Sequence, residues 1–202
     1  MRVEWIGTLD DLHALYGQPA EASRIKVSDR LTPLYRRWIM ASRFCVLTTV
    51  GPEGTDGSPR GDDGPVVLEV DDRTLAMPDW RGNDRLDSLR NIVADGRASL
   101  MFMVPGSDNV VRINGTARLT ADPGMTALFD HAGKRPRTVI VVRIAEVYFQ
   151  CARALVRSRL WAHAPAPPAL PSAGDFLREA KEDFDGQAYD EGWPERAART
   201  MW

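Results

Sequence analysis

Short runs of apolar and β-branched residues alternate with turn residues through the middle of the chain, a pattern that predicts β-strands. The run at 44–50 stops at Gly-Pro-Glu-Gly (51–54), which reverses the chain into a second strand leading to 58–62. Further strands are predicted over 66–70, 74–77, 98–104, 110–119 and 138–145. Tight turns such as the one at 71–73 make hairpins the main connection between them.

Helical spacing of apolar residues appears outside these runs. Leucines predict one helix near 9–15, and a second is expected over 83–96, where Asn83 or Asp84 is placed to cap the first turn. Other helices are predicted over 33–41, 123–130 and 152–161, with a last one inside 172–202.

Six or more strands joined mostly by hairpins, with one helix between the fourth and fifth, predict a mainly β (α+β) fold. We expect an antiparallel barrel with flanking helices rather than a parallel doubly wound sheet, because closing the sheet removes its edges. The chain then divides into an N-terminal helical extension (1–29), a barrel domain (30–161), and a Pro-rich linker with a helical tail (162–202).

Composition narrows the classes of partner. The net charge is −2 and hydrophobic residues make up 44% of the 202 positions, which suits one substantial domain. The chain as a whole has no attraction for nucleic acid or an anionic membrane, so we expect neither as a partner and any anion site must be local. Without an apolar signal core or a membrane-spanning run, we expect a cytoplasmic protein.

Cysteine and histidine placement argues against a disulfide framework or a metal site. Cys45 and Cys151 both lie in apolar contexts and are expected to be reduced, buried thiols. The three histidines lie in separate elements without partners at ligand spacing, so no metal is expected. Phosphate-loop, nucleophile-elbow and dinucleotide fingerprints are also missing, and no catalytic residue can be assigned.

Anion-suited residues do gather at two places. The start of the predicted helix at 83–96 carries Asn83, Arg85, Ser88 and Arg90, although a helix start already disfavours cations. A phosphate bound at the helix start explains the presence of arginines there. Arg60 in Ser-Pro-Arg-Gly-Asp (58–62) is placed to contact the same phosphate. The alternative is that Arg85 and Arg90 are surface charges, paired locally with Asp84 and Asp87 on a solvated helix face.

Several segments together resemble a known family. They are Ser-Pro-Arg-Gly-Asp at 58–62, Arg-Gly-Asn-Asp-Arg-Leu-Asp-Ser-Leu-Arg-Asn-Ile at 81–92, Val-Val-Arg-Ile-Asn-Gly-Thr-Ala at 110–117, and the segment at 149–161. In these segments the chain resembles a bacterial branch of the pyridoxamine 5'-phosphate oxidase-like superfamily of FMN-binding split barrels. The resemblance runs in order through about 30–161.

The resemblance implies a split barrel that forms a homodimer, with FMN in a cleft between the subunits. Positions carried over as phosphate and ribityl contacts are Arg60, Asn83, Arg85 and Ser88. Met77, Pro78 and Asp79 match the strand end along which the isoalloxazine lies, and Arg112 is on the strand that corresponds to one lining the flavin.

Departures from the family pattern limit the activity that is expected. The strand and helix-start motifs of true pyridoxamine phosphate oxidases, and their C-terminal substrate segment, are not matched here, so vitamin B6 phosphate oxidation is not expected. We expect an FMN-dependent oxidoreductase acting on an unidentified small molecule, with a nicotinamide donor as a candidate partner. The alternatives are a non-catalytic flavin carrier or sensor, or the same fold with a deazaflavin or a haem, the haem with His163 as candidate axial ligand.

Overall fold

A computed structural model describes residues 2–162 and 170–202 of the chain. Seven strands form one antiparallel sheet in the order β2-β1-β5-β6-β7-β4-β3. They are β1 (Phe44–Gly51), β2 (Gly54–Gly61), β3 (Leu68–Asp71), β4 (Thr74–Asp79), β5 (Arg97–Met103), β6 (Val110–Thr120) and β7 (Thr138–Gln150). The predicted mainly β, antiparallel fold with flanking helices is confirmed.

The helices lie between and after these strands. They are α1 (Leu9–Leu15), α2 (Glu21–Ile25), α3 (Pro33–Ile39), α4 (Asp87–Ala94), α5 (Pro123–Ala127), α6 (Arg153–Ser158), α7 (Ala173–Ala180), α8 (Gly186–Glu191) and α9 (Trp193–Thr200). None of the described helices is long and apolar enough to cross a membrane. None of residues 2–29 is buried, so this part of the chain, which includes α1 and α2, adds nothing to the core.

Alternation along the strands builds the core. In β1 every second side chain is buried, and the register sets Cys45 opposite Phe102 and Leu47 opposite Leu100 of β5. Because facing residues of neighbouring strands point to the same side of a sheet, these side chains join one apolar cluster. Ile92 of α4 packs into the same cluster, which anchors this helix beside the strand ends.

The two ends of the sheet create the opening that positions the candidate site. β3 pairs with β4 only as far as Ala76, so Met77, Pro78 and Asp79 have no strand partner on that side. On their other side these three residues pair with Ile140, Val139 and Thr138 of β7. The last residues of β2 lie across the opening, which is the split in the barrel, and the salt bridge between Arg60 and Asp79 spans it.

The helix expected over 83–96 begins only at Asp87, so the predicted cap is wrong. Asp84 and Leu86 adopt left-handed backbone angles, with φ of 58° and 64°, which a helix cannot include. Residues 80–86 therefore form a loop. The Asn83 side chain accepts a hydrogen bond from the backbone N–H of Arg85 inside that loop, at 3.2 Å, instead of capping the helix.

The two cysteines have different environments. Cys45 is fully buried, and this burial raises the pKa of its thiol to about 12, partly offset by the nearby Arg60. The expectation that Cys151 is buried is wrong, because it lies directly after the end of β7, outside the sheet, and is exposed.

Two other expectations concern the end of the chain. Three short helices, α7 to α9, take the place of the single helix predicted within 172–202. Most of the Pro-rich linker, predicted over 165–171, lies outside the described residues, which stop at 162 and resume at 170. The proposed division at 29/30 and 161/162 stays a prediction.

Candidate functional site

A cleft of about 1420 Å³ opens at the split in the barrel. Its walls come from the end of β2, the end of β4, the loop 80–86, the start of α4, the segment 134–138 and the C-terminal residues. Seven of the predicted cofactor residues line it, namely Arg60, Met77, Pro78, Asp79, Asn83, Arg85 and Ser88. The two anion-suited segments, distant in sequence, therefore meet in one place.

Arg60 is a largely enclosed cation in the wall of the cleft. Its side chain is 18% exposed, and its Nη1 donates to the Asp79 carboxylate at 2.7 Å. Its Nε is buried without a hydrogen-bond partner. A buried N–H that finds no acceptor is unfavourable, so this atom is suited to a ligand oxygen.

Thr138 is a second unsatisfied group, which sequence reasoning missed. Its hydroxyl oxygen is buried without a partner, and the residue lines the same cleft. Thr138 starts β7 directly opposite Asp79 of β4. Local sequence identified the strand, but only the β4–β7 register brings this hydroxyl to the predicted flavin positions.

The end of β4 has one unpaired backbone edge at the split. Met77 and Pro78 are buried, and this stretch has one edge free of strand pairing. The hydrogen bond from Ile144 to Arg73 fixes the ladder so that Met77 and Asp79 bond to β7, and Pro78, which has no N–H, presents its carbonyl oxygen to the open edge. The arrangement suits the polar edge of a flat ring that lies against an apolar wall.

Ser88 is buried, with 4% of its surface exposed, and its hydroxyl donates to the carboxylate of Asp56. Asp56 lies in β2 and also lines the cleft. Asp56 is not among the positions predicted from the sequence. Its negative charge opposes an anion at this wall, and the single hydroxyl proton of Ser88 is already donated to it.

Arg85 lies in the loop before α4 and not in the helix. Its side chain is 75% exposed and forms an ion pair with Asp87 at 2.9 Å. This is one of the local pairings that the alternative interpretation predicted. Asp84, the other aspartate near the helix start, pairs instead with Arg137 across the cleft mouth at 3.3 Å.

Arg112 is the predicted residue that the structure leaves outside this cleft. It is paired with Met101 and Tyr148 in the sheet, and its guanidinium lies 5.6 Å from the centre of the Tyr148 ring. Its Nη1 lies 3.4 Å from the side-chain oxygen of Gln150. Within one chain, Arg112 therefore has no contact with the other seven predicted residues.

The far wall of the cleft is aromatic and comes partly from the C-terminal tail. The Trp80 indole donates to Asp62 at 2.8 Å, and the Trp202 ring meets it edge-on, with centroids 5.2 Å apart. Arg196 of α9 lines the same wall. Helical spacing in the tail was visible in the sequence, but nothing in it indicated where the tail docks.

Among residues 2–162 and 170–202 there is no group of three or more histidine, cysteine, aspartate or glutamate side chains placed to hold a metal ion. His163, the candidate haem ligand, lies outside the described residues. The chemistry that the cleft offers is therefore that of arginines, hydroxyls, backbone amides and aromatic rings. This set fits an organic ligand with a flat ring and an anionic group.

Comparison with known proteins gives the family. The family model described as pyridoxamine 5'-phosphate oxidase matches residues 31–151, and no curated protein matches the chain. The solved structure of HupZ from Group A Streptococcus is 16% identical, with a TM-score of 0.48 over 58% of this chain and 91% of that one.

Two further solved structures are similar over much the same share of the chain. General Stress Protein 26 from Bacillus anthracis is 14% identical, with a TM-score of 0.44 over 56% of this chain and 88% of that one. An F420 reductase is 18% identical, with a TM-score of 0.43 over 59% of this chain and 98% of that one. The match of the family model to most of the chain shows that this protein belongs to the pyridoxamine 5'-phosphate oxidase family.

Proposed function

We propose that the cleft binds FMN and that the protein is an FMN-dependent oxidoreductase acting on a small molecule. The observation that carries this proposal is the pair of buried, unpartnered polar atoms in one cleft, Nε of Arg60 and Oγ1 of Thr138. Buried polar groups are nearly always hydrogen-bonded in folded proteins, so two orphans lining the same cleft indicate a bound ligand.

The phosphate of FMN is assigned to the arginine side of the cleft. Arg60 offers its free Nε, and a guanidinium bonds a phosphate through two parallel N–H groups. Arg85 joins it by exchanging Asp87 for the phosphate. Because their ion pair is exposed to solvent, it contributes little and costs little to break.

The flat ring is assigned to the end of β4. There the backbone carbonyl of Pro78 can accept a hydrogen bond from an N–H of the ring, and the buried Met77 and Pro78 side chains keep water from that face. When bound, FMN supplies the hydride chemistry, and the protein holds and orients the reactants. No acid–base pair is required of the chain, which agrees with a sequence that offers no obvious one.

We infer that the protein is a homodimer and that the second copy supplies Arg112. In one chain this arginine has no contact with the cleft, although the resemblance places it beside the flavin. If the cleft lies between two subunits, Arg112 of one copy can reach the flavin bound to the other. Sedimentation of the FMN-loaded protein at micromolar concentration should give a dimer, and a monomer that holds FMN would contradict this part of the proposal.

The visible absorption spectrum of the purified protein, repeated after FMN is added and the unbound excess removed, tests the cofactor. Retained flavin absorbance supports the proposal, and bleaching by NADH or NADPH without oxygen separates an oxidoreductase from a flavin carrier or sensor. A protein that retains no FMN contradicts the proposal. The deazaflavin and haem alternatives are then tested by the same titration.

A further inference from the structure

The C-terminal tryptophan occupies a small aromatic site at the edge of the cleft. The Trp202 ring stacks on His131, with centroids 4.2 Å apart and planes inclined by 22°. The same ring meets Trp80 at 87°, so it lies against one flat face and one ring edge. Offset stacking and edge-to-face contact are the arrangements that flat rings prefer, and this pocket therefore selects a planar group.

The segment that carries Trp202 is held lightly. α9 has no buried residue, and Trp193 at its start and Met201 after its end are 57% and 53% exposed. Within the tail, Arg196 donates to the carbonyl oxygen of Tyr189 and lies over the Tyr189 ring, which ties α9 to α8 rather than to the barrel. Departure of residues 193–202 would therefore leave the barrel core unchanged.

The cleft keeps a large open volume with Trp202 in place. With the tail in place, the cleft volume of about 1420 Å³ already exceeds the roughly 300–1,000 Å³ of an ordinary small-molecule site. Met77, Pro78 and Asp79 at the end of β4 border this open volume while Trp202 is in place. A ring that enters between Trp80 and His131 requires Trp202 to leave.

Positive charge borders the aromatic site. Lys134 is held beside His131 by two backbone hydrogen bonds, of 2.9 and 3.0 Å. Among the described residues, Lys134 forms no salt bridge. An anionic group on the ligand would therefore find one cation, Lys134, that is not already neutralised by a carboxylate and that stays in place when residues 193–202 leave.

We propose that Trp80, His131 and Lys134 form a second ligand site for a flat ring with an anionic group, and that Trp202 fills this site until such a ligand displaces it. The inference rests on the proposed function only in taking this ligand as the reactant that binds beside FMN. The tail is then a built-in competitor that keeps the reactant site closed when no reactant is present.

Indole-3-acetate is the probe, because it combines a flat ring with a carboxylate. In the 202-residue chain, Trp202→Ala should lower the dissociation constant of indole-3-acetate by roughly tenfold, since the built-in competitor is gone. Trp202→Phe keeps a ring and should bind the probe as the wild type does. Trp5→Ala removes a tryptophan that is 86% exposed and should change nothing.

Proton NMR of the three histidines reports the stacking directly. The Hε1 resonance of His131, assigned with His131→Gln, should lie upfield through the ring current of Trp202. It should lose that shift in Trp202→Ala, and in the wild type when saturating indole-3-acetate displaces the tail. FMN alone should leave the shift in place.

Equal affinity of the wild type and Trp202→Ala for the probe would overturn the proposal, as would a His131 resonance unaffected by Trp202→Ala. Flavin absorbance in the same samples separates the two proposals. If FMN is not retained, the proposed function fails, while the indole-3-acetate titration and the histidine spectra still decide whether the second site exists. Lys134→Gln, in the Trp202→Ala background, should weaken binding of indole-3-acetate but not of neutral indole.

Discussion

The Arg60 guanidinium and the Asp79 carboxylate meet at 2.7 Å across the split of the barrel, and each side chain is only 18% exposed. Their ion pair joins the end of β2 to the end of β4, two strands that do not pair in the sheet. It uses Nη1 of the arginine and leaves the buried Nε unpartnered. One residue thus both holds the cleft in shape and presents a donor to it.

Replacement of Arg60 by alanine should weaken FMN binding by more than about tenfold, since a charge-assisted hydrogen bond contributes about 1.5–3 kcal/mol. Arg60→Lys keeps the positive charge for Asp79 but lacks Nε, and it should also bind FMN less tightly. A fluorescence titration with FMN measures both. Arg118→Ala is the control, because Arg118 is exposed and lies outside the cleft. Unchanged affinity in Arg60→Ala would place the phosphate elsewhere.

Removal of the Asp56 charge should strengthen FMN binding. Asp56→Asn keeps an acceptor for the Ser88 hydroxyl but removes a carboxylate from the wall assigned to the phosphate. The expected gain is roughly threefold to tenfold at low salt, and it should shrink as salt screens the charge. Asp108→Asn, at an exposed position outside the cleft, should have no effect. A loss of affinity in Asp56→Asn would show that this carboxylate positions Ser88 rather than opposing the ligand.

The two thiols should react at very different rates. The thiolate is the reactive form, and burial raises the pKa of Cys45 to about 12 from its ordinary value of 9.0, whereas Cys151 is exposed. Iodoacetamide at pH 8 should add one group to the native protein, at Cys151, and two after denaturation, as counted by mass spectrometry. Cys151→Ser should leave the native protein unmodified. Rapid native labelling of Cys45 would contradict the buried position.

The raised pKa of Cys45 should make the folded protein less stable at high pH. The folded state keeps the Cys45 proton more tightly than the unfolded state does, so its contribution is fully present below pH 9 and is lost as the pH rises towards 12. Urea unfolding of the wild type should show this decline. In Cys45→Ala the decline over that range should be smaller, because the titrating thiol is absent.

Gly115→Ala should destabilise the barrel. Gly115 lies at the register shift of β6 against β7, and an added Cβ would overlap the backbone carbonyl of Arg143. Overpacking of this kind costs about 1–3 kcal/mol, which urea unfolding detects as a lower midpoint at unchanged slope. Gly57→Ala in β2 meets no atom within 4 Å and is the matched control. Equal midpoints for the two variants would contradict the close approach of the strands at Gly115.

The strands were predictable because their signal is local. Alternating burial in β1, with Cys45 and Leu47 inward, is written into a few adjacent residues, and the turn at 51–54 follows from its glycines and proline. The motif at 58–62 and the start of the 81–92 segment also converge in the cleft as expected. Pattern and motif therefore indicated the fold class and most of the cleft wall.

Other features depend on neighbours that are distant in the sequence. α4 begins at Asp87 rather than near Asn83 because Asp84 and Leu86 adopt left-handed backbone angles. Helical spacing of apolar residues does not reveal such angles. Thr138 lies in the cleft because the strand register sets it opposite Asp79. Asp56 lies there beside α4, where it accepts a hydrogen bond from Ser88. Cys151 was predicted to be buried from the apolar residues around it, but β7 ends at Gln150 and the cysteine that follows is exposed.

By itself the sequence determined the mainly β antiparallel class, the hairpins and the residues able to hold an anion, since these follow from local alternation and side-chain chemistry. Only the tertiary structure decided which of them meet. The salt bridge of Arg60 with Asp79, the orphaned Thr138 hydroxyl and the docking of Trp202 on His131 all join residues far apart in the chain. Such contacts form because packing the core brings strand ends and the tail together, and no local pattern encodes them.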